Sequence, residues 1–147
     1  MKHSNRAVYR ILVLLTFCVC VATGSGGSVP ERPIRRVRMK IVPTEVKALQ
    51  KWVNDGHEPW RLDAASVASA QVLELDPALK GVHPNSLPVR QESATTRRAV
   101  LVYASPDSTK SYRIILKRFD WLLPLAKKWK FMIWVVTEVQ ITSPSTK

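Results

Sequence analysis

Lys2, Arg6 and Arg10 precede an almost unbroken apolar run, Ile11 to Val21, and no acid falls within the first 24 residues. This feature constrains the fold most, because it withdraws the start of the chain from any globular core. Ala22-Thr23-Gly24 then places small residues at the two positions a signal peptidase reads. Cationic start, apolar run and small-x-small end are the order of a secretory signal, so residues 1–24 are expected to be a signal peptide cleaved after Gly24. From Ile11 to Thr23 the run is 13 residues, about 20 Å as helix against a hydrocarbon core of about 30 Å. Retention as an N-terminal anchor is the other reading, and it requires Arg10 to snorkel. Both readings place the rest of the chain outside the cytoplasm, secreted or tethered, since the positive flank stays inside.

The two cysteines, Cys18 and Cys20, both sit in the apolar run. One intervening residue is poor geometry for a disulfide. They follow Phe17 and Val19, whereas lipid modification needs a small residue there. The exported part therefore has no thiol for a disulfide framework, a thiolate metal site or a nucleophile. It must be held by its own apolar core, and 123 residues beyond Gly24 are enough to bury roughly two-thirds of the unfolded surface.

Of 23 cations and 11 acids, three cations and no acids lie before Ser25, leaving 20 against 11, a net +9. That excess favours anionic surfaces such as phospholipid headgroups, cell-wall polyanions or nucleic acid.

Residues 25–34 open with Gly and Ser and continue through Pro30 and Pro33, a linker that can bury nothing. A single domain is expected over 35–142, with 143–147 a disordered tail. Arg36 to Ile41 alternates, with Val37, Met39 and Ile41 on one face and cations on the other, which predicts a strand ended by Pro43. Thr44 is the expected N-cap of a helix from Glu45 to Asn54, closed by Asp55-Gly56. Asp63 caps a second helix, Ala64 to Leu75, and Pro77 ends it. Asp76 to Pro88 reads as loop. Arg97 to Ala104, Ser111 to Phe119 and Met132 to Ile141 read as strands, with Arg90 to Glu92 a short edge strand and Asp120 to Lys130 a connector broken by Pro124. Strand and helices followed by an antiparallel meander predict an α+β fold, with the helices packed on one face of a curved sheet. Cone-shaped folds of the cystatin or nuclear transport factor 2-like kind are the nearest architectural analogues.

Chemistry is sparse. Asn54-Asp55-Gly56-His57-Glu58 sets an imidazole among carboxylates, but a metal needs three or four convergent ligands, usually at helical spacing. His83 has no acidic neighbour within six residues. Asp63, Glu74 and Asp76 do not define a carboxylate pair. No nucleophile elbow, phosphate-cradling loop or dinucleotide fingerprint occurs. No catalytic, cofactor-binding or metal residue is assigned, and no cofactor is expected.

Two local signatures stand out. Trp60, Arg61 and Asp63, just before the second helix, are read as a structural joint; a ligand ledge is the alternative. Trp121, Lys127, Lys128, Trp129 and Lys130, in a proline-broken stretch, are candidate surface-binding residues of interfacial membrane character; the alternative is a strand connector whose Trp121 and leucines close the core while the lysines are solvated. Arg35-Arg36-Val37-Arg38 and Lys127-Lys128-Trp129-Lys130 supply phosphate affinity without a base-reading motif, which weighs against nucleic acid as partner.

Trp52, Gly56, Pro59-Trp60-Arg61-Leu62-Asp63, Val67-Ala68 and Ile133-Trp134-Val135-Val136 together resemble a group of small exported bacterial proteins of unknown function. The likeness spans Lys47 to Val136 with gaps, and Ala64 stands where that group often has proline. It implies a small exported α+β domain and transfers no active site. The expected function is a non-enzymatic binding or interaction module at the cell envelope, with an anionic membrane surface or cell-wall polyanion as partner. The alternative is a small-ligand pocket protein, enzymatic or not, using the cavity of a cone-shaped sheet.

Overall fold

In the computed structural model, residues 34–107 and 109–143 are described. The expected signal peptide (residues 1–24), the expected linker up to residue 33 and the expected tail at 144–147 lie outside the described residues. Ile34, assigned to the linker by sequence, is the first residue of β1.

The fold is α+β, built on one five-stranded antiparallel sheet. Its strands are β1 (Ile34–Arg38), β2 (Arg90–Ala94), β3 (Arg98–Ala104), β4 (Ser111–Lys117) and β5 (Val135–Thr142), in the order β1-β5-β4-β3-β2. Three helices accompany it: α1 (Pro43–Asn54), α2 (Ala64–Leu75) and the single turn α3 (Leu123–Ala126).

Alternation sorts the strands into two faces. Ala99, Leu101 and Tyr103 of β3 pair with Leu116, Ile114 and Tyr112 of β4, and Ile114 pairs in turn with Val139 of β5. This inner face carries α2, whose Val67, Ala68 and Val72 share one buried cluster with those residues and Trp134. Among them Ala68, Val72, Ile114, Leu116 and Val139 are fully buried, so burial rather than propensity holds α2 in place. A second cluster joins Val46 and Val53 of α1 to Leu122, Ala126, Met132 and Ile133. Of the two long helices, then, α2 lies along the sheet, while α1 packs on the segment linking β4 to β5.

That second cluster explains where strand ends depart from expectation. Met132 and Ile133 were expected in the last strand, but the Ile133 N–H donates to Gln50 Oε1 of α1 at 3.0 Å, so β5 starts only at Val135. Gln50 is fully buried. Its Nε2 donates to Asn54 Oδ1 and to the Phe131 carbonyl, both at 2.9 Å, which satisfies a polar group that burial would otherwise penalise. Ile41 likewise leaves the first strand for this cluster, and Phe119 leaves β4 to stack on Trp121 at 5.2 Å.

Thr44 does not cap α1. The helix begins at Pro43 behind Val42, without a side-chain cap, because a proline's missing N–H and fixed φ suit a first turn. Gly56 closes it at φ +92°, a conformation glycine adopts without strain. Asp63 caps α2, its Oδ2 accepting from the Ser66 N–H at 2.7 Å. The stretch Asp76 to Pro88 contains 3-10 turns at Pro77–Leu79 and Pro84–Ser86. Asp120 to Lys130 is also more ordered than a plain connector, with α3 set between 3-10 turns at Asp120–Leu122 and Trp129–Phe131.

Candidate anion-binding surface

The buried polar contacts of the inner face centre on Asp76. Asp76, just past α2, is buried. It accepts from the Tyr112 hydroxyl at 2.9 Å, Lys110 Nζ at 3.1 Å and the Ala78 N–H at 3.2 Å. Burial alone would raise its pKa; the bonds from Lys110, Tyr112 and Ala78 outweigh that and hold the carboxyl below its ordinary value. Burial, reinforced by the Asp76 charge, pushes both Tyr112 and Tyr103 above the usual phenol range. Neither tyrosine is poised as a base, and the cluster ties the end of α2 to the start of β4.

Trp60, Arg61 and Asp63 meet at the entry to α2. Trp60 is half-buried against the first cluster. The Arg61 guanidinium lies 4.4 Å from its ring centroid and donates through Nε to Glu58 at 2.5 Å. The Arg61 carbonyl accepts from the Trp134 N–H at 2.9 Å. Behind them Arg118 covers the Trp134 ring at 4.1 Å, and its Nη2 reaches the Leu62 carbonyl at 3.3 Å. Its Nε is buried without a partner among the described residues, and desolvation lowers its pKa. A cleft of about 410 Å³ opens beside this joint, lined by Met39, Ile41, Leu49, Trp60, Val67 and Trp134 among others.

The candidate surface-binding residues separate into two kinds. Trp121 and Trp129 are half-buried against the second cluster, with Lys47 at 5.9 Å and Arg97 at 4.6 Å over their rings. Lys127, Lys128 and Lys130 are exposed. The exposed aromatic beside them is Phe131, 43% accessible, which sequence reading did not single out. Lys127 sits at φ +62°, a conformation costly for any residue with a Cβ. His57 stacks on Trp52 at 3.7 Å. Among the described residues no group of three or more His, Cys, Asp or Glu side chains is placed to hold a metal.

The outer face of the sheet gathers cations that sequence reading left scattered. By register it carries Arg36 and Arg38 of β1, Arg90 of β2, Arg98 of β3, and Arg113 and Lys117 of β4. Glu92 and Glu138 are the acids bonded on it. A bulge between Gln91 and Ser93 brings Glu92 to Arg113, whose Nε and Nη2 donate to its two oxygens at 2.7 and 3.2 Å. That bidentate pair lowers the pKa of Glu92 and raises that of Arg113. Arg98 stands directly opposite Lys117 across the ladder, and among the described residues neither has an ion-pair partner. Arg38 Nε is 3.9 Å from Glu138. Between these groups lies a depression of about 360 Å³ lined by Arg38, Arg98, Ile115, Lys117, Thr137 and Glu138. The signal was present in the alternation of β4, since Tyr112, Ile114 and Leu116 pointing inward leave Arg113, Ile115 and Lys117 pointing out. Only strand register adds the cations of β1, β2 and β3.

No protein family, curated protein or solved structure matches the chain.

Proposed function

We propose that this chain is an exported, non-enzymatic module that binds a polyanion of the cell envelope on the outer face of its sheet. The observation that carries the reading is Arg98 opposite Lys117. Like charges directly across a ladder destabilise a sheet, and an anionic partner would offset that cost. The face presents six cations against two bonded acids. No aromatic stands among them, so bases have nothing to stack on, which weighs against single-stranded nucleic acid. Among the described residues the large exposed apolar side chain on this face is Ile34 at its edge, far short of the broad apolar side that lipid insertion needs, which favours a polymer over a membrane surface. Likeness to the small exported bacterial proteins, cleavage after Gly24 and a cone-like helix-on-sheet shape belong to the same proposal.

The test is binding of the full-length chain to long-chain polyphosphate, followed by salt titration. Binding should weaken steeply as salt rises and should fall when Arg36, Arg98 and Lys117 are replaced together by Gln. If only replacement of Lys127, Lys128 and Lys130 weakens it, the connector carries the function and the outer face does not.

A second reading has the cleft beside Trp60 as its place: a small-ligand pocket of mixed lining, with Lys40, Glu45, Arg61, Gln71 and Glu74 as polar groups around its apolar side chains. Saturable binding of an apolar dye, abolished by Met39→Trp with polyphosphate binding unchanged, would favour it.

A further inference from the structure

The outer face is uneven, and the unevenness points to a discrete subsite. In its upper half Arg36, Arg90 and Arg113 stand in one row with Glu92, which pairs with Arg113 through two hydrogen bonds, and Gln140 and Val102 keep these cations from facing one another directly. In its lower half Arg98, Lys117 and Arg38 surround the depression over Ile115 and Thr137. Glu138 shares that rim, but its carboxylate lies against Arg38 and accepts from Gln140 Nε2 at 2.7 Å. Three cations and one acid leave the depression doubly positive. Cross-strand partners on one face stand about 5 Å apart, so Arg98 and Lys117 can address two oxygens of one small anion, with Arg38 reaching in from two strands away.

We infer that the depression is a subsite for a phosphate-class oxyanion, gripped between Arg98 and Lys117 with Arg38 closing the third side. The inference rests on the outer-face reading above and narrows it to a ligand chemistry and a place. A carboxylate has two oxygens in one plane, which a single guanidinium can satisfy. A tetrahedral phosphate offers more oxygens in more directions, matching donors that converge from three strands. The floor is consistent with this. The Thr137 hydroxyl donates to the Ile115 carbonyl at 3.1 Å, leaving its oxygen as acceptor only, so the donors for an anion come from the cationic rim.

Inorganic pyrophosphate is the probe, titrated at low salt into the full-length chain and into four single variants, with amide chemical shifts and calorimetry as readouts. Arg98→Gln and Lys117→Gln should each weaken binding about tenfold, the loss of one charge-assisted contact. Arg90→Gln removes the same charge from the same face and should change affinity less than twofold, since only long-range attraction is lost. Glu138→Gln should tighten binding. Shifts should concentrate at Arg98, Lys117 and Thr137. Equal losses for Arg90→Gln and Arg98→Gln, or shifts spread over all five strands, would overturn the subsite. Polyphosphate binding that persists in that event would keep the outer-face function alive. Vesicles of phosphatidylglycerol form the second arm: pyrophosphate binding without vesicle binding assigns a soluble or polymeric source. Vesicle binding without pyrophosphate binding overturns the inference.

Discussion

On the helix side of the sheet, the one buried carboxylate among the described residues, Asp76, is bonded by a phenol, an ammonium and a backbone N–H. On the opposite side, two cations confront each other across a ladder with no acid between them. Same strands, same pleat: β3 contributes Leu101 to the first environment and Arg98 to the second. The difference follows from solvent. Where water is excluded, an uncompensated charge costs several kcal/mol, which is why the Asp76 carboxylate is surrounded by donors. Where water is present, repulsion is screened to a few tenths, and charges can be arranged for something other than stability.

Neighbours on β3 give the most forceful test of that contrast. Leu101→Ala, on the inner face, should destabilise by about 3–4 kcal/mol through lost burial and a residual cavity. Val102→Ala, one residue on and facing out, should cost under about 1 kcal/mol. Similar losses in chemical denaturation would break the two-face picture.

Asp76→Ala should cost about 2–3 kcal/mol, because Tyr112 keeps a buried hydroxyl without its acceptor. The same carboxylate predicts acid sensitivity. Its folded pKa is depressed, so its stabilisation is complete above the unfolded carboxyl value of about 3.9 and is lost as pH falls through the lower folded value. Urea midpoints measured from pH 6 downward should therefore drop more steeply in the parent than in Asp76→Asn.

At the entry to α2, Asp63→Ala should cost about 1 kcal/mol by removing the cap on Ser66. A thermal melt reads it. Smallest of all, Lys117→Gln should leave stability within about 0.5 kcal/mol, with a slight gain at low salt that vanishes at high salt. A clear loss would mean that Lys117 is a structural residue, and the two faces would no longer differ in kind.

Much of this fold is legible in the sequence, and the parts that are not share a cause. Helix α2 is readable end to end because its cap, its Ala-rich body and its following proline are all local. Strand β4 is readable because Tyr112, Ile114 and Leu116 alternate cleanly. Misplaced ends belong to residues whose partners are distant: Ile133 is claimed by Gln50, which lies 83 residues away, and no local pattern announces a buried glutamine. The outer-face cluster is hidden for the same reason. Contiguous runs such as Lys127-Lys128-Trp129-Lys130 draw the eye, whereas Arg38, Arg98 and Lys117 meet only after register is set.

The pairing of β1 with β5 sets Ile34 against Thr142, so one edge of the sheet joins the first described residues to the last. Such a contact closes a loop of about a hundred residues and places the domain among slowly maturing topologies. An emerging chain cannot finish its sheet until its final strand is free. Under the proposed export this delay would be an advantage, since premature closure on the near side of a membrane would jam the passage of an extended chain. A chain cut before Val135 should therefore stay open and protease-sensitive, and rapid refolding of that fragment to a protected state would refute the idea.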